Sequence, residues 1–306
     1  MISKPNKMIP LFVLSSFALS GCTNTKTLSN NDIDKLDSYV STVAGNEVVD
    51  TDELNQKIAQ TIPQIKDKDN ASTIINKYIY ILYNEARNYL PYFDIIGKDI
   101  VEIKNKLNLD NIDVSMYKEI SKESKVIGAI FEEMYNFNLM VIDENNSFFT
   151  EVNVQKILDE YGPYLNESLI EFLKFRASEN ITPVFDANTD EYNLDVLIER
   201  ANTCATKALE KSNSEQLENW KSSASYYYEI LLAENTEQFL EDGLVKTEYI
   251  KEIESILKKY NGQQIDKDLT GYIELLKSNN YDINNEEVAE YRTMLFNQML
   301  DSNQKE

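Results

Sequence analysis

Serines, lysines and acids are the residues of this chain that could do chemistry, because the sequence contains no histidine. The absence of histidine excludes serine–histidine–aspartate and cysteine–histidine catalysis and removes the usual ligand of catalytic zinc. Ser-x-x-Lys spacings occur at Ser115–Lys118 and Ser255–Lys258, but chance alone predicts about as many matches, and the companion motifs of such enzymes are missing. Adjacent acids such as Glu132–Glu133 carry little information among 52 acidic residues. We therefore predict no catalytic residue.

The segment that begins at Asp266 is the best candidate for a metal site. It reads Asp266-Lys-Asp268-Leu-Thr270-Gly271 and resembles the start of an EF-hand calcium loop, with oxygen ligands at positions one, three and five and glycine at six. Position twelve is Lys277, where the loop requires a glutamate that binds through both oxygens. The sequence thus offers Asp266, Asp268 and Thr270 as calcium ligands without the strongest ligand of the loop. We predict no other metal and no cofactor.

The first 22 residues have the layout of an export signal. Lys4 and Lys7 supply positive charge, and residues 8–19 form an apolar run. A helix of that length is too short to cross a bilayer, which needs roughly 20 apolar residues. The run ends in Leu19-Ser20-Gly21-Cys22, where the two small residues before the cysteine would fit the site of a peptidase.

This ending resembles the lipobox of bacterial lipoproteins. The resemblance implies that residues 1–21 are removed as a signal peptide and that the thiol of Cys22 carries a diacylglyceryl group. Thr23, not an aspartate, follows the cysteine, which favours the outer membrane in an organism with two membranes. Residues 22–31 would form the lipidated tether, whose polar part spans roughly 17 Å as a coil. We expect stable attachment to the cell envelope through two or three acyl chains, palmitate among them.

Acidic residues dominate the charge of the chain. It carries 30 lysines and arginines against 52 acids, a net charge of −22. Removal of Lys4 and Lys7 with the signal leaves 28 basic residues against 52 acidic ones, a net charge of −24. Such a surface repels nucleic acids and anionic lipid headgroups, so the lipid on Cys22 must provide membrane attachment. The same charge favours a basic protein partner.

Cys204 and a run of tyrosines are interpreted mainly as core residues. Once Cys22 is lipidated, Cys204 has no partner for an intramolecular disulfide. It lies on an apolar stripe of helical period, which is typical of a small buried side chain and not of a reactive thiol. Tyr227 and Tyr228 also fall on an apolar stripe, whereas Tyr226 points elsewhere and is a candidate contact residue.

Helical periodicity recurs along almost the whole chain after residue 31. The principal stripes are Ile75–Phe93, Met116–Val141, Ile157–Leu173, Leu194–Ala208, Leu217–Leu231, Tyr249–Tyr260 and Val288–Met299. The first has a second apolar face, which predicts a central helix buried on two sides. Asp143–Ser147 is interpreted as a break between helices. We predict an all-α domain over residues 32–306, a bundle of roughly nine or ten helices. Residues 181–192 are the candidate boundary between two coupled halves.

Function is inferred here from architecture and charge, because residues 32–306 show no resemblance to a known family. We interpret the chain as a membrane-tethered, non-enzymatic protein-binding module of the bacterial cell envelope. One alternative is an acidic immunity or inhibitor protein that neutralises a basic partner. A second alternative is a hydrolase that relies on carboxylates alone, which would require a buried pair of acids with shifted pKa values in a cleft.

Overall fold

The computed structural model describes residues 30–44, 50–186, 189, 191–210, 216–233 and 236–300. Within these ranges the chain forms twelve α-helices and three antiparallel hairpins. The helices are α1 (Asn30–Ala44), α2 (Thr51–Thr61), α3 (Lys68–Lys106), α4 (Tyr117–Glu123), α5 (Lys125–Asn136), α6 (Val154–Tyr161), α7 (Glu167–Ile181), α8 (Leu194–Leu209), α9 (Leu217–Leu231), α10 (Thr247–Leu257), α11 (Gln264–Ser278) and α12 (Glu286–Leu300). The hairpins pair β1 (Leu139–Glu144) with β2 (Ser147–Val152), β3 (Phe185–Asp186) with β4 (Glu191–Tyr192), and β5 (Leu240–Glu241) with β6 (Leu244–Val245). The predicted all-α, multi-helix fold is confirmed.

Helix α3 is the long helix of the N-terminal half. Asp67 caps its start by accepting two backbone N–H groups of the first turn, an arrangement that stabilises a helix by about 1 kcal/mol. Apolar residues on two faces, among them Ile74 and Ile81, are buried, as the sequence predicts. The helix continues past Pro91 for a total of 39 residues. It ends just before Asn108, whose φ of 52° is a left-handed conformation that asparagine tolerates.

The apolar stripe from Met116 to Val141 is not one helix. Ser124 has φ −143° and ψ 112°, which ends α4, and its hydroxyl then caps α5 by accepting the N–H of Ile127 at 3.4 Å. This division is one reason why the helices in the described residues outnumber the nine or ten expected. Val141 lies beyond α5, in β1, where it is buried by strand alternation and not by helical period.

The hairpin β1–β2 corrects the interpretation of Asp143–Ser147 as a break between helices. Glu144 faces Ser147 in the register, and Asn145 and Asn146 between them have φ values of 52° and 67°. Two consecutive left-handed residues form the turn that best matches the twist of a two-residue hairpin. Phe148 of β2 contacts Phe93 of α3, with ring centroids 6.2 Å apart, and this contact anchors the hairpin to the first core.

Buried apolar side chains form two separate clusters. The first core extends from Leu36 to Ala177, and the second core extends from Val184 to Leu295. The last residue of the first core is Ala177, and the first residue of the second core is Val184. The boundary predicted within residues 181–192 stays a prediction. Each fully buried leucine or isoleucine contributes roughly 1.5–3 kcal/mol, so both cores stabilise the fold.

Helix α7 takes part in both cores. Leu173 belongs to the first core, whereas Phe172 and Phe175 pack against the second. Their ring centroids lie 4.9 and 5.1 Å from that of Trp220 on α9, within the range of favourable aromatic pairs. The helix therefore couples the two halves through its packing.

Candidate functional site

Two charged residues of α7 connect the two cores through tyrosines. Arg176 Nη2 donates to Tyr83 Oη of α3 at 3.0 Å, and Arg176 Nη1 lies 2.6 Å from Glu179 Oε2. On the opposite side, Tyr227 Oη of α9 donates to Glu179 Oε1. Tyr83 packs against the first core, and Tyr227 belongs to the second. We call these four side chains the Arg176–Glu179 network.

Burial raises the pKa values of two groups in this network. Removal from water raises the pKa of Glu179 above its usual range, while Arg176 and Arg200 oppose the shift because they favour the ionised carboxylate. Burial likewise raises the pKa of the Tyr83 hydroxyl, against the opposing effect of Arg176. The side chain of Glu179 keeps 15% of its surface exposed, and it lines a cavity beside the network.

The first cavity lies where α3, α7 and α9 meet and has a volume of about 520 Å³. Tyr80 and Lys77 of α3 line one side, and Lys77 is paired with Asp37 of α1 at 2.6 Å. Asn219 of α9 donates through Nδ2 to Asn76 Oδ1 of α3 at 3.3 Å, a direct hydrogen bond between the halves. Among the described residues, no acid lines this cavity. Its character is aromatic and polar.

The second cavity, of about 650 Å³, brings together three of the four arginines of the chain. Arg176 belongs to the network described above. Arg200 is 7% exposed and donates to the carbonyl oxygens of Ser178 and Thr182 at the end of α7. Arg87 of α3 is exposed and makes no hydrogen bond or ion pair with any residue that the structure describes. Arg87 is therefore the arginine available to a ligand.

Carboxylates face the arginines in the second cavity and dominate a third. Glu144 and Glu151, from the hairpin β1–β2, line the second cavity together with Glu179. The third cavity has a volume of about 390 Å³. Its acidic lining residues are Asp110, Asp143, Glu144 and Asp186. Lys104 is its only described cation, and that lysine is already paired with Asp143 at 2.7 Å.

The three cavities adjoin one another at the junction of the two cores, and we call them together the groove. The first and second share Arg176, Ser222 and Ser223. The second and third share Glu144, Pro183 and Phe185. Along the groove the lining changes from aromatic and polar, through a mixture of arginines and glutamates, to strongly acidic. This change of charge along one surface is its most informative chemical feature.

The calcium loop offered by the sequence is absent from the structure. Asp266, Asp268 and Thr270 lie within α11, whereas an EF-hand needs a loop that wraps the cation. Asp266 and Thr270 lie one turn apart on the same side, where Thr270 Oγ1 donates to Asp266 Oδ1 at 3.4 Å. Asp268 is two residues from each and points to a different side, so the three oxygens do not converge on one cation. Asp268 is instead 4% exposed, and its carboxylate accepts two hydrogen bonds from protein side chains. Within the described part of the chain, no group of three or more acids or cysteines is placed to hold a metal ion.

The remaining predicted residues fall in three different settings. Cys22 lies outside the described residues, so its lipidation stays a prediction. Cys204 is a free, fully buried thiol in α8, and burial raises its pKa, which agrees with a packing role. Tyr227 and Tyr228 are buried as predicted, whereas Tyr226 is 53% exposed and lines the second cavity.

The groove contains only part of the acid pair that a carboxylate-only hydrolase would need. Glu179 has the raised pKa that such a pair requires, and Glu151 lines the same cavity. Both oxygens of Glu179 are engaged, by Tyr227 and Arg176, and Glu151 Oε1 accepts the N–H of Val152 at 3.0 Å. These contacts favour a structural role for Glu179 over that of a free general acid.

The arginines of the groove were missed by sequence analysis. Arg87, Arg176 and Arg200 are far apart in the chain, and no spacing rule relates them. The available signal was their scarcity, because arginine supplies four of the 30 basic residues. A chain that otherwise uses lysine keeps arginine where a planar, multidentate donor is needed.

Comparison with known proteins gives no assignment. No protein-family model, curated protein or solved structure matches this chain. Among the helices that the structure describes, none is both long enough and apolar enough to span a bilayer. Functional inference therefore depends on the groove between the cores and on the sequence around Cys22.

Proposed function

We propose that this chain is a lipid-anchored protein of the bacterial cell envelope whose helical domain binds a protein partner without catalysing a reaction. Cys22 would carry the lipid, on the outer membrane where the organism has two membranes. The observation that supports binding is the groove. It displays Arg87 and Glu144, two charged side chains with no ion pair to another described residue, beside the exposed ring of Tyr226.

The shape of the groove favours a peptide segment over a compact small molecule. Each cavity alone falls within the size of a small-molecule site, and the three adjoin in series. Asn180, Ser222 and Ser223 supply hydrogen-bonding groups along the lining, and an extended backbone presents matching donors and acceptors. The position between two cores also lets a small change in their separation widen or narrow the groove.

A basic partner fits the charge of the chain, as an immunity or inhibitor protein would require. A net charge of −22 attracts cations over long range, and the third cavity, which four acids line, is where a basic group of the partner would bind. Screening acts over about 8 Å at physiological salt, so added salt should slow association more than it speeds dissociation. A complex that is insensitive to salt would remove the support for this form of the proposal.

The test is to block the groove and measure partner retention. Ser222 is exposed and lines the first and second cavities, so Ser222→Trp should fill the groove without disturbing either core. Lys174 is exposed on α7 outside the lining of the three cavities, and Lys174→Trp is the matched control. The lipidated proteins would be used to capture partners from envelopes of the same organism. Ser222→Trp should lower retention of the partner about tenfold, or 1.4 kcal/mol, whereas Lys174→Trp should leave it unchanged. Equal retention by both variants would contradict binding in the groove.

A further inference from the structure

We infer that the groove binds an extended peptide segment in one direction, with a basic group in the third cavity and a carboxylate at Arg87. This inference rests on the proposed function, since it specifies the ligand of the same groove. It follows from the order in which charges without partners occur along the lining, and each end has its own structural basis.

The acidic end is built to hold a cation. Asp110 is exposed, and neither Asp110 nor Glu144 makes an ion pair with a described residue. The lysine at this end, Lys104, is already neutralised by Asp143, whose side chain is 2% exposed. The third cavity therefore keeps an excess of negative charge after its internal pair is formed. A lysine, an arginine or a free amino terminus of the ligand would supply the missing cation.

At Arg87 the ligand must instead supply a negative charge. Arg176 donates within the Arg176–Glu179 network, and Arg200 donates to backbone carbonyl oxygens. Arg87 has no such partner among the described residues. A guanidinium presents several N–H groups in a planar fork that matches the two oxygens of a carboxylate. The exposed ring of Tyr226 lines the same cavity and provides a surface for an apolar side chain next to that carboxylate.

The order of charges excludes polymers of a single sign. A nucleic acid or an anionic polysaccharide would place negative charge against Asp110 and Glu144, at a cost that Arg87 alone cannot offset. A uniformly basic segment would leave Arg87 facing positive charge. A peptide carries a cation at its own amino terminus and a carboxylate at its own carboxyl terminus, so its terminal charges match the groove only when the amino end lies in the third cavity and the carboxyl end lies toward Arg87. A peptide that is basic toward its amino end and ends in, or soon reaches, a carboxylate therefore satisfies both ends at once.

The experiment uses the full lipidated chain in detergent and a library of random hexapeptides, prepared once with free carboxyl ends and once amidated. Lysine and arginine should be enriched in the amino-terminal half of retained peptides. If the carboxylate that binds Arg87 is the carboxyl terminus of the peptide, amidation should lower retention about tenfold. If that carboxylate is a side chain, aspartate and glutamate should be enriched in the carboxy-terminal half of the retained amidated peptides. Arg87→Glu should abolish either preference. Lys98→Glu, the same charge change at an exposed position of α3 outside the lining, should not.

The possible outcomes distinguish a failure of this inference from a failure of the proposed function. Retention that Ser222→Trp removes, but that shows no order of charges or the reverse order, would overturn the direction of binding and leave the groove as the binding site. Retention that survives Arg87→Glu with its preferences intact would also overturn it. No retention above the level of Ser222→Trp would count against both the inference and the proposed function.

Discussion

Arg176 and Glu179 lie one turn apart on α7, form an ion pair with a nitrogen–oxygen distance of 2.6 Å, and each bind a tyrosine associated with a different core. Arg176 binds Tyr83 beside the first core, and Glu179 binds Tyr227 in the second. A pair of this spacing on an exposed helix stabilises it only by a few tenths of a kcal/mol. Here the pair also ties α3 to α9, so its effect should appear in the coupling of the halves.

Removing one tyrosine hydroxyl from the network should weaken that coupling. Tyr227→Phe leaves Glu179 without its donor, and Tyr83→Phe leaves Arg176 without its acceptor. We expect each variant to lower the free energy of unfolding by roughly 1–2 kcal/mol, because each loses a hydrogen bond to a charged group. Urea denaturation followed by circular dichroism measures the change. Tyr226→Phe is the control, and it should change stability by less than about 0.5 kcal/mol because that side chain is exposed.

The double variant distinguishes a connected network from two separate bonds. If the ion pair transmits the effect, the losses in Tyr83→Phe/Tyr227→Phe should differ from their sum by about 0.5 kcal/mol or more. Strict additivity would mean that Arg176 and Glu179 contribute independently, which would contradict the role of α7 as a tie.

The buried carboxyl of Asp268 should make stability depend on pH. It accepts Tyr228 Oη at 2.8 Å and Gln264 Nε2 at 2.7 Å, yet burial raises its pKa above the ordinary value despite these bonds. The folded state therefore holds the proton more tightly than the unfolded state. This contribution to stability is complete below the ordinary pKa of about 3.9 and is lost as pH rises through the folded-state value.

Asp268→Asn should remove the pH-dependent contribution of Asp268 to stability. The free energy of unfolding of the wild type should fall relative to Asp268→Asn as pH rises from about 4. Asp268→Leu should be less stable than Asp268→Asn by roughly 1–3 kcal/mol at all pH values, because it leaves the buried Tyr228 hydroxyl without a partner. Glu274→Gln, at an exposed position of the same helix, is the control for the loss of one acid. If the free energies of unfolding of the wild type and of Asp268→Asn change in parallel across the pH range, that result would contradict the raised pKa of Asp268.

Calcium should not stabilise the protein through the Asp266 segment. Asp266 accepts the N–H of Gly262 at 2.9 Å and the hydroxyl of Thr270 at 3.4 Å, and α11 holds Asp268 on a different face. Thermal unfolding in millimolar calcium and in chelator should therefore give the same Tm. A saturable rise in Tm that Asp266→Asn abolishes would show that the helix rearranges to bind the metal.

Sequence periodicity was sufficient for the all-α class and for the longest helix, because helical contacts are local. The stripe from Ile75 to Phe93 lies within one helix buried on two faces, and the alternation of Tyr226 outside with Tyr227 and Tyr228 inside was also read correctly. The hairpin β1–β2 was missed, because Val141 continues the preceding helical stripe and Asn145-Asn146 looks like an ordinary break. There the tertiary contact of Phe148 with Phe93 decides the structure.

The groove could not be derived from local patterns. Arg87, Glu144 and Ser222 become neighbours of one cavity only when α3, the hairpin and α9 pack together around α7. The calcium prediction was wrong for a related reason. The ligand spacing fits a loop, but Ile265 just before the segment and Leu269 within it are buried in the second core and favour the helix.

Cys22→Ala tests the membrane anchor. Without the thiol no thioether to diacylglycerol can form, so we expect complete loss of labelled palmitate and accumulation of an uncleaved or mislocalised precursor. Membrane fractionation after labelling measures both effects. Cys204→Ala, which removes the other thiol from a buried site, should leave labelling unchanged. Normal labelling of Cys22→Ala would contradict lipid attachment at that position.

Photo-crosslinking in living cells tests binding in the groove most directly. A photoreactive amino acid placed at Ser222, within the lining of the first and second cavities, reports contacts in the native envelope; the same group at Lys174 reports the outside of α7. If the partner binds in the groove, we expect a discrete protein adduct from Ser222, none from Lys174, and loss of the adduct when Arg87→Glu or Glu144→Lys is added. Adducts of equal yield from both positions, or an adduct from Ser222 that persists in both charge variants, would contradict the groove as the binding site.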